Sequence, residues 1–200
     1  MTAHRTSTGE HRLAWLLTEV CAPQYVAIVL PVVVGWLSGG PVAAAWGLLA
    51  SLVCAGIPSA VIAIGVRRGQ LDSVHLVRRT SRVGPMLAGL AGVVAGMVLL
   101  IVLDAPRLVT ATAAVMLGWV VALGGITLAW KVSFHSGVSA GAVVVMAHVL
   151  PVTPTLAIGA IVVMLISWAR IRISHHTPAQ TIVGALTAAI VTWGVLVVTA

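Results

Sequence analysis

Runs of apolar residues long enough to cross a lipid bilayer follow one another through most of this chain, with only short polar stretches between them. A bilayer core asks for about 20 consecutive apolar residues per helix, and inside it only helices and closed barrels satisfy their own backbone. The runs are 22–39, 42–66, 86–103, 108–130, 136–150, 155–169 and 181–200, with Pro31 inside the first. Gly39-Gly40-Pro41, Asp104-Ala105-Pro106-Arg107 and Pro151-Val152-Thr153-Pro154 read as the breaks between them. A shorter apolar lead-in, 13–20, either extends the first helix or lies along the interface. The expected architecture is all-α: a polytopic transmembrane helical bundle of six to seven spans, a single domain over 1–200 with 1–21 as an N-terminal interfacial lead-in. The runs 136–150 and 155–169 are short, about 22 Å at 1.5 Å per residue against a hydrocarbon core of about 30 Å. The polar inserts beside them are therefore expected to be drawn toward the membrane.

Composition agrees. The chain is 60% apolar and 8% charged, with four acidic residues in all, where an ordinary soluble domain carries about 25% charged residues. That excludes a soluble globular enzyme, a disordered chain and a disulfide scaffold. Cys21 and Cys54 both lie in apolar stretches with no spacing motif and read as small core residues. Gly92 and Gly96, like Gly137 and Gly141, have the spacing that lets membrane helices approach closely. In a soluble protein a net charge of +7 would point to nucleic acid. Here the basic residues sit between apolar runs, so the expected partners are the membrane and lipid phosphate, with no nucleic acid. Self-association stays open.

The inserts around His75, His135 and His176 are separated by even numbers of spans, so all three emerge on one side, with the N-terminus. Arg5, Arg12, Arg67, Arg68, Arg78, Arg79, Arg82, Lys131, Arg170 and Arg172 fall there; only Arg107 falls on the other. The positive-inside rule puts that face in the cytoplasm of a multi-pass plasma-membrane protein. Trp15, Trp130 and Trp168 read as interfacial anchors on the same side, and His148 as a satisfied core residue.

Each insert brings Arg or Lys together with His, and hardly an acid. A metal centre would want carboxylates or a cysteine cluster, so no metal and no cofactor are expected. A Ser-His-Asp arrangement has only Asp72, three residues before His75, to draw on. Guanidinium forks and imidazoles suit a phosphate held by arginines, attacked by one imidazole and released with help from another. Lys131 stands four residues before His135, which would set both on one face of a helical turn.

Arg170-Ile-Arg-Ile-Ser-His-His176-Thr-Pro-Ala-Gln180 is Arg, five residues, His, three residues, Gln. It resembles the third signature, SRxxxxxHxxxD, of the type 2 phosphatidic acid phosphatase superfamily. Val132-Ser133-Phe134-His135 is similar to the second signature, PSGH, and His75 and Arg82 stand seven apart like the Lys and Arg of the first, KxxxxxxRP. The inserts at 130–135 and 174–180 also look like those of short actinobacterial members. The resemblance implies a metal-independent phosphatase acting on a lipid phosphate. By position, His176 would be the nucleophile that forms a phosphohistidine, and His135 the acid that protonates the leaving oxygen. Arg82 and Arg170 would hold the phosphoryl oxygens, with Ser133 donating a further hydrogen bond. His75 replaces the signature Lys, Lys131 adds a phosphate contact, and Gln180 replaces the Asp that would orient the nucleophile.

Within this reading an isoprenoid phosphate or diphosphate is preferred as substrate, with phosphatidic acid or phosphatidylglycerophosphate as the alternative. A catalytically weak or inactive lipid-phosphate-binding protein is the second reading, because Gln180 lacks the charge of Asp. A small transporter is the third, against which stands the lack of paired discontinuous helices and of an intramembrane acid.

Overall fold

The computed structural model describes residues 8–69 and 83–200, and among them every regular element is helical. His75 and Arg82 lie outside the described residues, as do Arg5, Asp72, Arg78 and Arg79. An N-terminal helix α1, Thr8–Val20, ends at a turn at Cys21 and Ala22, so the lead-in is a separate element. Next comes α2, Pro23–Ser51, whose run is broken at Gly39 and at Gly40, the latter with φ of 66°. Only glycine takes up that backbone conformation cheaply.

The break folds 23–38 and 41–51 back on each other as a hairpin. Ser51 Oγ donates to the carbonyl of Ile28 at 2.5 Å. Gly35 lies against the backbone of Ala43, and Gly47 against that of Pro31. Both contacts are so close that a Cβ would strike a carbonyl oxygen, which is why small residues stand there. The second arm continues through a π-helical turn, Leu52–Gly56, into α3, Ile57–Arg67. Pro58 accounts for the wide turn: it has no N–H to give Cys54, and its ring would collide with that carbonyl in a regular helix.

The helix α4, Val83–Val102, packs on this turn, with Gly92 against the Pro58 ring and Gly96 against Cys54 Sγ. A turn with Asp104 at φ 53° leads into α5, Arg107–Ala129. The remaining helices are α6, Phe134–Val149, α7, Val152–Arg172, and α8, Pro178–Thr199. Gly137 meets Leu123 and the carbonyl of Gly184, and Gly141 meets the Trp119 indole, so the second glycine pair also serves packing. Arg107 Nε donates to the carbonyl of Thr199 at 3.0 Å, so α5 and α8 run antiparallel and close the end of the bundle away from Arg170 and His176.

Among the described residues four segments are long and apolar enough to cross a membrane: Pro23–Arg67, which contains the hairpin, Arg107–Ala129, Val152–Arg172 and Pro178–Thr199. The outward faces are as apolar as the interior: Ile190, Trp193, Val197 and Val198 on α8 are each about two-thirds exposed or more. Such a surface suits lipid as solvent.

Two expectations need correction. The run 155–169 is part of a 21-residue helix and is not short. Pro154 falls in its first turn, where a missing N–H costs nothing, and at the other end the helix carries Arg170 and Arg172 within its last turn. Lys131 does not share a helical turn with His135: Trp130 is extended and α6 begins only after its Ser133 cap. The helix α6 does remain short, at 16 residues.

The hairpin gives a direct test. Gly47→Val should lower the melting temperature of the detergent-solubilised protein by overpacking against Pro31, a cost of about 1–3 kcal/mol. Gly194→Ala, on α8 with open space around it, should leave it unchanged. Equal melting of the two variants would contradict the close approach of the hairpin arms.

Candidate active site

The last turn of α7 and the loop after it set the site. The backbone carbonyl of Arg170 accepts from the N–H of both His175 (3.1 Å) and His176 (3.2 Å), so the chain curls back under the helix as it leaves. Ser174 makes this bend at φ 58°. The loop ends at Thr177, which caps α8: its Oγ accepts from the N–H of Gln180 at 3.4 Å, while Gln180 Oε1 accepts from the N–H of Thr177 at 3.2 Å. This reciprocal pair is the capping box that Thr177-Pro-Ala-Gln180 encodes.

The same Gln180 Oε1 lies 3.0 Å from His176 Nδ1. Because the Thr177 N–H identifies the atom as an acceptor, Nδ1 must be the protonated nitrogen of the ring. The Nε2 lone pair is thereby made the basic, nucleophilic position. Gln180 acts once more through its backbone: its carbonyl accepts from the N–H of Ser133 at 3.1 Å and ties the start of α8 to the start of α6.

Ser133 is fully buried and caps α6, its Oγ accepting from the N–H of Ser136 at 3.3 Å. Its hydroxyl lies 3.2 Å from Ser136 Oγ, to which Ser167 Oγ of α7 donates at 3.0 Å. Three serine hydroxyls thus stitch α6 to α7 just behind the site. Ser136 and Ser167 were not singled out in the sequence, since nothing in their local spacing couples them.

His135, in the first turn of α6, Arg170 and His176 come together in the wall of a cavity of about 210 Å³ enclosed by α2 to α7. They are 4%, 2% and 7% exposed. Among the described residues no acidic side chain lines the cavity; two imidazoles and a guanidinium share it with Gln24, Ser59 and apolar side chains. Donors of this kind can hydrogen-bond the oxygens of a phosphate or carboxylate. No three His, Cys, Asp or Glu side chains among the described residues gather in a way that could hold a metal ion.

Of the residues expected from the sequence, His135, Arg170 and His176 line the cavity, and Gln180 stands behind His176. Ser133 is drawn into the cap, and Lys131 is half-buried in the extended stretch before it; neither lines the cavity. Gln24 and Ser59 do, and sequence reasoning missed both. Gln24 opens α2 directly after Pro23, a placement only the fold brings near Arg170.

The N-terminal helix reaches the same loop. Ala14 and Leu17 pack on Ala169 and Ile173. Glu10 pairs with Arg172 at 2.5 Å, and the Trp15 ring meets His175 edge-on at 5.5 Å between centroids.

Comparison of the chain with protein-family models, characterised proteins and solved structures finds no match, so the arrangement of these side chains carries the functional argument.

Proposed function

We propose that this protein is a membrane phosphatase that dephosphorylates a lipid phosphate or diphosphate, isoprenoid in preference, as its resemblance to the type 2 phosphatidic acid phosphatase superfamily implies. The observation that carries the reading is the His176 ring. It is held at Nδ1 by Gln180 and stands in one apolar cavity with Arg170 and His135.

In the proposed reaction His176 Nε2 attacks phosphorus and the bond to the lipid oxygen breaks. His135 gives its proton to that oxygen. Water then attacks the phosphohistidine, His135 takes the water proton, and inorganic phosphate leaves with His176 restored. Arg170 and Arg82 hold the phosphoryl oxygens, where negative charge gathers in the transition state. His75 and Lys131 are assigned to the outer edge of the phosphate site. The reaction as written needs no metal.

In the same proposal the bundle crosses the plasma membrane seven times. The crossings are the two arms of the 23–67 hairpin, α4, α5, α6, α7 and α8, with α1 along the interface. The end that carries Arg170 and His176 faces the cytoplasm. Among the described residues Arg12, Arg67, Arg68, Lys131, Arg170 and Arg172 belong to that end and Arg107 to the other, which supports the orientation.

Phosphate release from a prenyl diphosphate by the purified protein tests the activity, and His176→Ala should abolish it while the protein stays folded. Retained turnover in that variant would move the nucleophile elsewhere. Binding of the prenyl diphosphate without release by the wild-type chain would leave a lipid-phosphate-binding protein.

Gln180 separates orientation from charge. Gln180→Glu keeps the reach of both Oε1 contacts and adds a carboxylate that stabilises the imidazolium, so kcat should rise. Gln180→Ala should lower kcat by about 10²–10⁴-fold and stability by about 1 kcal/mol through the lost cap. Equal kcat in all three forms would remove Gln180 from the reaction.

Topology is read by cysteine labelling. Gly69→Cys, with Cys21→Ser and Cys54→Ala, should resist a membrane-impermeant maleimide in intact cells and react after lysis. Labelling of intact cells would place the site on the outer surface.

A further inference from the structure

The guanidinium, the two imidazoles and Gln24 of the cavity stand at one end, Ser59 lies part-way along, and the remaining walls are apolar and run deep into the bundle. The depth follows from helix direction. Running toward the site, α5 places Trp119 ten residues before its end at Ala129; α4 runs away from it and places Val93 ten residues after its start at Val83. The π-helical turn contributes Cys54 and Ala55 at a similar distance before Arg67. At 1.5 Å per residue the far wall lies on the order of 15–20 Å from the polar end.

Trp119 is the rigid part of that far wall. It is 3% exposed. Its Nε1–H donates to Thr192 Oγ1 at 2.8 Å, and that hydroxyl donates onward to the carbonyl of Ala188 at 2.7 Å. Gly141 lies so close to the indole that a Cβ there would enter the ring. The indole is therefore held by a hydrogen bond and wedged against a neighbouring helix, so an entering chain cannot push it aside without breaking buried contacts. Ala55, in the same deep part of the wall, carries a small side chain.

We infer that the apolar part of this cavity takes the hydrocarbon chain of a single-chain anionic lipid whose phosphate sits at Arg170, and that Trp119 sets the length of chain accepted. The inference rests on the phosphate site proposed above and adds a specificity-determining residue remote from the chemistry. Its physical basis is that each methylene buried adds about fourfold in affinity, the factor that ~0.8 kcal/mol per CH₂ implies. A methylene that meets a fixed wall adds nothing or costs strain.

The test uses n-alkyl phosphates of increasing length as probes on the purified full chain, with binding read by native mass spectrometry. The ratio of variant to wild-type affinity at each length cancels partition of the probe into detergent. Wild-type affinity should climb about fourfold per methylene and then level off at a limiting length. Trp119→Ala should move the limit to longer chains and leave short probes unchanged. Ala55→Leu, which adds bulk to the deep part of the cavity, should move it to shorter chains, and keeps the test decisive if Trp119→Ala fails to fold. A wild-type profile without a limit, or the same limit in a folded variant of either kind, would overturn the inference. Phosphate release is measured on the same samples. A length limit without hydrolysis would sink the phosphatase reading alone, and hydrolysis without a length limit would sink this inference alone.

Discussion

A guanidinium buried to 2% exposure inside an apolar bundle sets the terms for everything around it. Charge at such a position is expensive, and proteins keep it where it faces the bundle interior and has work to do. Arg170 is fixed at both levels of its structure. The side chain stands in the wall of the cavity, while the backbone carbonyl gathers the amides of His175 and His176. The position of the cation and the position of the imidazole are thus two consequences of one turn at the end of α7. The guanidinium and the imidazole stand side by side because the same residue places both.

Rigidity around that turn comes from shared atoms more than from numerous contacts. Gln180 caps α8, orients the His176 ring and ties α8 to α6 through its backbone. Ser133 caps α6 and joins the serine chain that runs to α7. Catalytic constellations need placement to within a fraction of an ångström, and helix ends locked by caps provide it better than loops do. The neutral amide of Gln180 fixes the tautomer of His176 without placing a carboxylate beside the ring.

Much of this was legible in the sequence, for reasons that can be named. Apolar runs bounded by Gly and Pro located the helices, and the break at Gly39-Gly40 falls where the Gly-Gly-Pro turn predicts it. The spacing of His176 and Gln180, four residues apart at a helix start, already sets them within reach of one another. What failed was local backbone detail. Lys131 was assigned to a helical turn because spacing alone cannot show that Ser133 begins the helix. The run 155–169 was cut short because Pro154 read as a breaker when it sits in a first turn that needs no N–H from it. The cap that Ser133 forms on α6, with its Oγ accepting from the Ser136 N–H, has no sign in the local spacing. Trp119, Gln24 and Ser59 belong to three different helices, and only tertiary packing gathers them around one space.

The bonds that knit α6, α7 and α8 together have a consequence for how the protein is made. A chain is synthesised from its N-terminus, so α6 and α7 are made before α8 exists. Until then the Ser133 N–H lacks the Gln180 carbonyl that accepts from it, and His176 lacks the amide oxygen that sets its tautomer. The site therefore cannot be assembled piece by piece alongside the helices that carry it. It is complete only once α8 packs against α5 and α6 and brings Gln180 to both Ser133 and His176.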